Sequence, residues 1–120
     1  MKVLDSYALV EIREGNKKFE HLLSGDFQIV DLTISEFYGL LYLRNGKETA
    51  NKWIIKLRQM CVSASLETLI KAREFKIQNP KKDLSFIDCV GYIYAKDKGY
   101  VFVTGDKEFQ NLPNVEYIKS

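Results

Sequence analysis

The chain has 120 residues, enough for one domain with one core and too few for two. Its composition, 46% hydrophobic and 28% charged with two prolines, is ordinary for a soluble globular protein. No apolar run approaches the roughly 18 residues of a membrane span. The first residues, MKVLDSYALV, place an acid inside what would be the apolar part of a secretory signal, so a cytoplasmic location without membrane attachment is expected. The net charge of +2 is unevenly spread. Arg44 to Lys82 holds ten Lys/Arg and three Glu, a local +7, and the remainder holds eight basic and thirteen acidic residues, or −5. Such segregation suits either a cationic grip beside an anionic centre or two helices with solvated basic faces.

In chain order, Lys2 to Leu4 reads as a strand ending at Asp5. Ser6 to Val10 starts a helix that continues to a break at Gly15-Asn16, and Lys17 to Leu23 forms a second helical piece closed by Ser24-Gly25. Phe27 to Val30 is a second strand. Thr33-Ile34-Ser35-Glu36 has the spacing of a capping box, a hydroxyl followed three residues later by an acid, and predicts a helix running through Leu43. From Lys47 to Arg58, Ala50, Trp53, Ile54 and Leu57 share one apolar stripe, with Lys52 and Lys56 off it. Met60 to Ser63 serves as a third strand. Leu66, Leu69, Ile70 and Ile77 mark another amphipathic helix, ended by Asn79-Pro80. Ser85 opens a helix with Phe86, Ile87, Val90, Ile93 and Tyr94 apolar and Gly99 as its stop. Tyr100 to Thr104 is an apolar, β-branched fourth strand, and Val115 to Ile118 a fifth. Alternating strands and helices imply parallel strands, right-handed crossovers and an α/β fold of three layers, with a central parallel sheet of about five strands in one domain, 1–120.

Four carboxylates stand at strand ends or helix starts: Asp5, Glu36, Asp88 and Asp106. Asp5 and Asp106 can each cap the helix that follows, and Glu36 and Asp88 can serve as the acids of capping boxes opened by Thr33 and Ser85. A common site competes with these separate roles. In a parallel sheet every strand end and following helix start lie on one edge, and with the strands ordered 3-2-1-4-5 Asp5 and Asp106 meet at the switch point. Glu36, following strand two, starts its helix on the same edge. Asp88, one turn into the helix leading to strand four, is left unplaced by this rule. Two carboxylates about 5 Å apart repel by roughly 3 kcal/mol at an effective dielectric near 20, so a cluster must protonate in part or hold a cation. All-oxygen ligands select a hard ion, Mg²⁺ or Mn²⁺. Cys61 and Cys89, with His21 as the one histidine, form no zinc pattern and read as buried thiols and a surface imidazole.

The motifs Asp5-Ser6, Thr33 to Phe37 (TISEF), Ser85 to Asp88 (SFID) and Thr104 to Phe109 (TGDKEF) occur in this order across the chain. In them the sequence resembles the PIN-domain ribonucleases, and among these the small VapC toxins of toxin–antitoxin pairs. The resemblance implies the 3-2-1-4-5 strand order and a metal-dependent endoribonuclease with Asp5, Glu36, Asp88 and Asp106 on the catalytic acidic positions. Asp5, Asp88 and Asp106 would hold Mg²⁺ or Mn²⁺, with Glu36, Ser6 and Thr104 orienting them from behind. It also places Asp88 in the cluster. Cleavage would leave a 5′-phosphate and a 3′-hydroxyl. Lys52, Lys56, Lys71, Arg73, Lys81 and Lys82 are candidates for holding the RNA backbone. A small antitoxin covering the acidic crevice and a homodimer formed through early helices are the implied partners, with Phe37, Tyr38 and Tyr42 compatible with an interface or a core. Tyr7 stands where the family commonly has a small residue.

Three other readings compete. A phospho-acceptor receiver domain would need paired acids after strand one, an Asp after strand three and a Lys after strand five. The chain has a single Asp5, Ser63-Ala64-Ser65, and a terminal Lys119 instead. A non-catalytic RNA- or protein-binding PIN-like domain, and a housekeeping RNA-processing nuclease, share the same fold.

Overall fold

A computed structural model describes residues 1–120. Five short strands, β1 (Lys2–Leu4), β2 (Phe27–Val30), β3 (Cys61–Val62), β4 (Val101–Thr104) and β5 (Val115–Tyr117), form one parallel sheet in the order β3-β2-β1-β4-β5. This is the order expected. Its centre is set by the register Lys2↔Val101, Val3↔Phe102 and Leu4↔Val103 between β1 and β4. Alternate side chains of the central strands enter opposite cores, as the period of two requires. Val3, Val30 and Phe102 pack with α4 (Leu66–Gln78) and α5 (Phe86–Lys98). Leu4, Ile29 and Val103 pack with α1 (Ser6–Arg13), α2 (Asp31–Asn45) and α3 (Lys47–Leu57). Hence three layers, with both faces of the sheet covered. No helix is long and apolar enough to cross a membrane.

Most of the sequence signals act where they were read. Gly99 ends α5 in the left-handed region at φ 75°, a conformation glycine adopts without steric cost. The Lys17–Ser24 piece is 3₁₀ rather than α, capped by Asn16 and packed through Phe19 and Leu22. The strand expected over Met60 to Ser63 shortens to Cys61–Val62 because Arg58–Met60 forms a 3₁₀ turn.

Two expectations fail for physical reasons. The capping box at Thr33–Glu36 does not form. The chain passes from β2 into α2 at Asp31, Val30 occupies the cap position without a side-chain hydrogen bond, and Thr33 lies buried inside the first turns. The Asp31 carboxylate accepts from the Leu32 amide instead, at 2.8 Å. In α4, Leu66, Ile70 and Ile77 are exposed rather than buried, and Thr68, Leu69, Ala72 and Phe75 face the core. Both stripes have helical spacing, so periodicity alone did not separate them. Packing against α5 did, through the Phe75 and Tyr92 rings, 5.3 Å apart.

Phe37 is fully buried with its ring edge-on to Trp53, so it belongs to the core and leaves Tyr38 and Tyr42 as the more accessible aromatics. Phe37→Ala is expected to lower unfolding free energy by about 3–5 kcal/mol, and Leu43→Ala, at an 85% exposed position, to change it by about 0.5 kcal/mol or less. Urea titration of both variants checks this.

Candidate active site

Asp5 follows β1, and its amide donates to the Val103 carbonyl at 3.1 Å, locking it beside the end of β4. Its carboxylate accepts from the Ala8 amide at 2.7 Å and so caps α1. It is nonetheless almost wholly buried and feels the charges of Asp106 and Glu36. Capping and clustering are therefore not alternatives at this residue. One oxygen of a carboxylate can serve the helix while the group as a whole remains in the site.

Two residues past the end of β4, Asp106 caps a 3₁₀ turn at Lys107–Phe109, accepting from the Glu108 amide at 3.0 Å. The buried Thr104 hydroxyl accepts from the Asp106 amide at 3.0 Å and also lowers the Asp5 carboxyl against the rise that burial causes. Thr104 thus ties the two acids of adjacent strands. Ser6 makes a second tie, its hydroxyl donating to Glu36 Oε1 on α2. Glu36 is engaged with Ser6 and not with the start of its own helix.

Asp88 lies in the first turn of α5. The Ser85 hydroxyl accepts from its amide at 3.3 Å, so Ser85 is the cap, and the Asp88 carboxylate is left to its acidic neighbours. Burial and then the charges of Asp5, Glu36 and Asp106 push it up to about 8. Burial likewise pushes Asp5 up to about 7, against the opposing hydrogen bonds from Thr104 and Ala8. Asp5 feels Asp106 and Glu36, Asp88 feels all three of the other acids, and no lysine, arginine or histidine forms an ion pair with Asp5 or Asp88.

Tyr7 adjoins this centre. Its ring lies against Gly105, where any Cβ would collide with it, and its hydroxyl donates to Ser120. Gly105 is needed here for close approach rather than for its backbone angle. The sequence showed Tyr7 as unusual but not its partner, which comes from the far end of the chain. Ser6 and Tyr7 open onto a groove of about 530 Å³ between α1 and α2, lined also by Val10, Glu11, Glu14, Leu40 and Arg44.

The six basic candidates scatter. Lys52 pairs with Glu48 at 3.6 Å and Lys71 with Asp97 at 3.0 Å. Asp97 lies nine residues after Asp88 on α5, roughly 13–14 Å along the helix axis, so Lys71 stands well away from the acids. Lys56 lies over the Trp53 ring on α3. Arg73 and Lys82 come close to the acidic elements. Arg73 stacks 3.9 Å over Phe86, two residues before Asp88, and Lys82 donates to the Glu108 carbonyl at 2.8 Å, two residues after Asp106. Lys81 is exposed on the same turn. The sequence reading missed Lys76, whose ammonium donates to the Leu84 carbonyl; no charge pattern distinguished it from other helix-surface lysines.

The five-stranded parallel sheet with helices on both faces finds close counterparts among solved structures. The chain has the PIN-like fold. It superposes on the VapC20 toxin of Mycobacterium tuberculosis, a Sarcin-Ricin loop cleaving toxin, with TM-score 0.82, 17% identity and complete coverage of both chains. A chain of a toxin–antitoxin complex from Klebsiella pneumoniae matches with TM-score 0.81, 13% identity and complete coverage of both chains. A chain of the DNA-bound VapBC complex of Salmonella typhimurium matches with TM-score 0.77 and 14% identity, over 98% of this chain and 96% of that one. No family model and no curated protein sequence matches the chain.

The donor set of this site is wholly oxygen, the type that suits a hard divalent cation, and its excess negative charge fits one. The side chains do not stand as a closed ligand set: no three Asp, Glu, His or Cys groups are gathered tightly enough to ligate one ion. Mutual repulsion opposes closure of such a set until positive charge is present.

A raised carboxyl pKa in the fold means the folded state holds its proton more tightly than the unfolded state. The stability contributed by Asp88 is therefore full below its ordinary value of 3.8 and is lost as pH rises towards about 8. In chelator, Asp88→Asn is expected to stabilise the protein at pH 8 by more than about 1.4 kcal/mol, the equivalent of one pKa unit, and to have little effect at pH 3.5. Added Mg²⁺ or Mn²⁺ should raise the melting temperature of wild type more than that of the variant. Thermal unfolding at the two pH values tests both statements.

Proposed function

We propose that the chain is a metal-dependent endoribonuclease acting as the toxin of a toxin–antitoxin pair. The observation that carries this reading is the convergence of Asp5, Glu36, Asp88 and Asp106 at one sheet edge with no lysine, arginine or histidine in an ion pair with Asp5 or Asp88. The fold shared with a Sarcin-Ricin loop cleaving toxin supports RNA as substrate, and the fold shared with chains of toxin–antitoxin complexes supports a small antitoxin as partner. A homodimer belongs to the same proposal, with Tyr38 and Tyr42 as accessible aromatics on α2.

Asp5, Asp88 and Asp106 would hold Mg²⁺ or Mn²⁺. When bound, such a cation supplies an activated water and offsets the charge that builds on the scissile phosphate. Around it, Thr104 holds Asp5 and the Asp106 backbone in fixed relation, and Ser6 holds Glu36 from behind. The carboxylates of Asp5 and Asp106 are further pinned through the Ala8 and Glu108 amides. These bonds orient the acids before substrate arrives, so less reorganisation is needed during attack. In-line attack by water at phosphorus forms one P–O bond and breaks the bond to the 3′-oxygen, leaving a 5′-phosphate and a 3′-hydroxyl.

Purified protein is expected to cut structured RNA in Mg²⁺ or Mn²⁺ and not in EDTA. Asp106→Asn should reduce the rate by more than about 100-fold, and Ser6→Ala, which removes only an orienting bond, by about 10–100-fold. Equal cutting by wild type and Asp106→Asn, or cutting that ignores the chelator, overturns the assignment.

A further inference from the structure

We infer that the second half of α4 and the turn joining it to α5 form a phosphate-binding track, on which Arg73, Lys76, Lys81 and Lys82 hold the RNA backbone on one side of the acidic centre. The inference deepens the nuclease reading and rests on it for the identity of the substrate.

Three features single out this turn. First, its cations have no carboxylate partner. Lys52 and Lys71 are neutralised by Glu48 and Asp97, whereas Lys76 and Lys82 donate to the backbone carbonyls of Leu84 and Glu108, and Arg73 lies on the Phe86 ring. Their side chains are held in place while their positive charge stays available. Second, they flank the acids without entering the cluster. Arg73 lies over the Phe86 ring, two residues before Asp88, and Lys82 donates to the Glu108 carbonyl, two residues after Asp106, yet none of the four forms an ion pair with an acid of the centre. Positive charge so placed meets a phosphate adjacent to the one being cut. Third, the turn forms a polar hollow of about 360 Å³ lined by Gln78, Asn79, Pro80, Lys81 and Lys82.

The other exit from the acidic centre has the opposite character. The α1–α2 groove beginning at Ser6 carries Glu11 and Glu14 against a single Arg44, which disfavours a polyanion. The electrostatics thus give the bound strand a direction, with its flanking phosphates over the α4–α5 turn. Contacts of this kind position the backbone and do not read sequence.

The test measures binding separately from cutting. Fluorescence anisotropy of a labelled single-stranded RNA, in EDTA at several salt concentrations, compares wild type with Arg73→Gln/Lys82→Gln, with Lys81→Gln/Lys82→Gln, and with a control, Lys52→Gln/Lys71→Gln. Each single-strand phosphate contact contributes about 0.7 to the slope of log K against log salt. Either turn pair should therefore flatten the slope by about 1.4, while the control leaves it unchanged. The second pair keeps the test decisive should loss of the Arg73–Phe86 contact impair folding. An unchanged slope in both turn pairs, an equal change in the control, or no RNA binding by wild type at low salt overturns the track. Metal-dependent cutting by wild type is assayed in parallel. Cutting with an unmoved slope sinks the track and leaves the nuclease reading, and a flattened slope without cutting does the reverse.

Discussion

Like charges held close together in a partly dry place constrain this molecule more than any other feature. β1 and β4 lie side by side in parallel register, so the residues leaving them, Asp5 and then Thr104 to Asp106, emerge at one edge. α2 and α5 bring Glu36 and Asp88 to the same place. The resulting field raises the carboxyls of Asp5 and Asp88 well above the ordinary range, burial being the larger cause. A domain whose whole stability is typically about 5–15 kcal/mol tolerates such an arrangement only because the surrounding cores are well filled. Both are, with Phe102, Phe109 and Tyr92 stacked on one side of the sheet and Phe19, Phe37 and Leu41 packed on the other.

The hydroxyls explain how repelling acids remain ordered. Thr104 accepts from the Asp106 amide and favours the charged form of Asp5, and Ser6 donates to Glu36. Each links residues on different elements, so the sheet edge, α1 and α2 hold the acids in mutual relation. The Asp5 and Asp106 carboxylates also serve as helix caps, which orients them further. A structural role and a site role coexist because a carboxylate has more acceptor positions than a cap requires.

Charge is organised on a larger scale as well. The basic excess between Arg44 and Lys82 does not surround the acids uniformly. Part of it is neutralised locally on α3 and α4, and part is gathered at the α4–α5 turn beside Asp88 and Asp106. The groove between α1 and α2 keeps an acidic rim. One small domain thereby presents two electrostatically different approaches to a single centre.

The fold class was legible in the residues, because strand-end carboxylates, glycine stops and short apolar, β-branched runs are local signals whose meaning a parallel α/β sheet restricts to few arrangements; the strand order and the inclusion of Asp88 with Asp5, Glu36 and Asp106 came only with the family resemblance. What escaped was settled by choice of neighbour. Thr33 and Glu36 have capping-box spacing, yet β2 runs directly into α2 at Asp31 and the box lies inside the helix. Leu66, Ile70 and Ile77 and the core-facing Thr68, Ala72 and Phe75 are equally periodic, and only packing against α5 chose between the two faces. Lys76 and the closeness of Tyr7 to Gly105 depend on residues far apart in the chain meeting in space. The linear order of residues thus decided which chemical groups stand at strand ends and helix starts, since that depends on nearest neighbours along the chain. Tertiary packing alone decided which of them share an electric field, because charges act across distances that sequence separation does not measure.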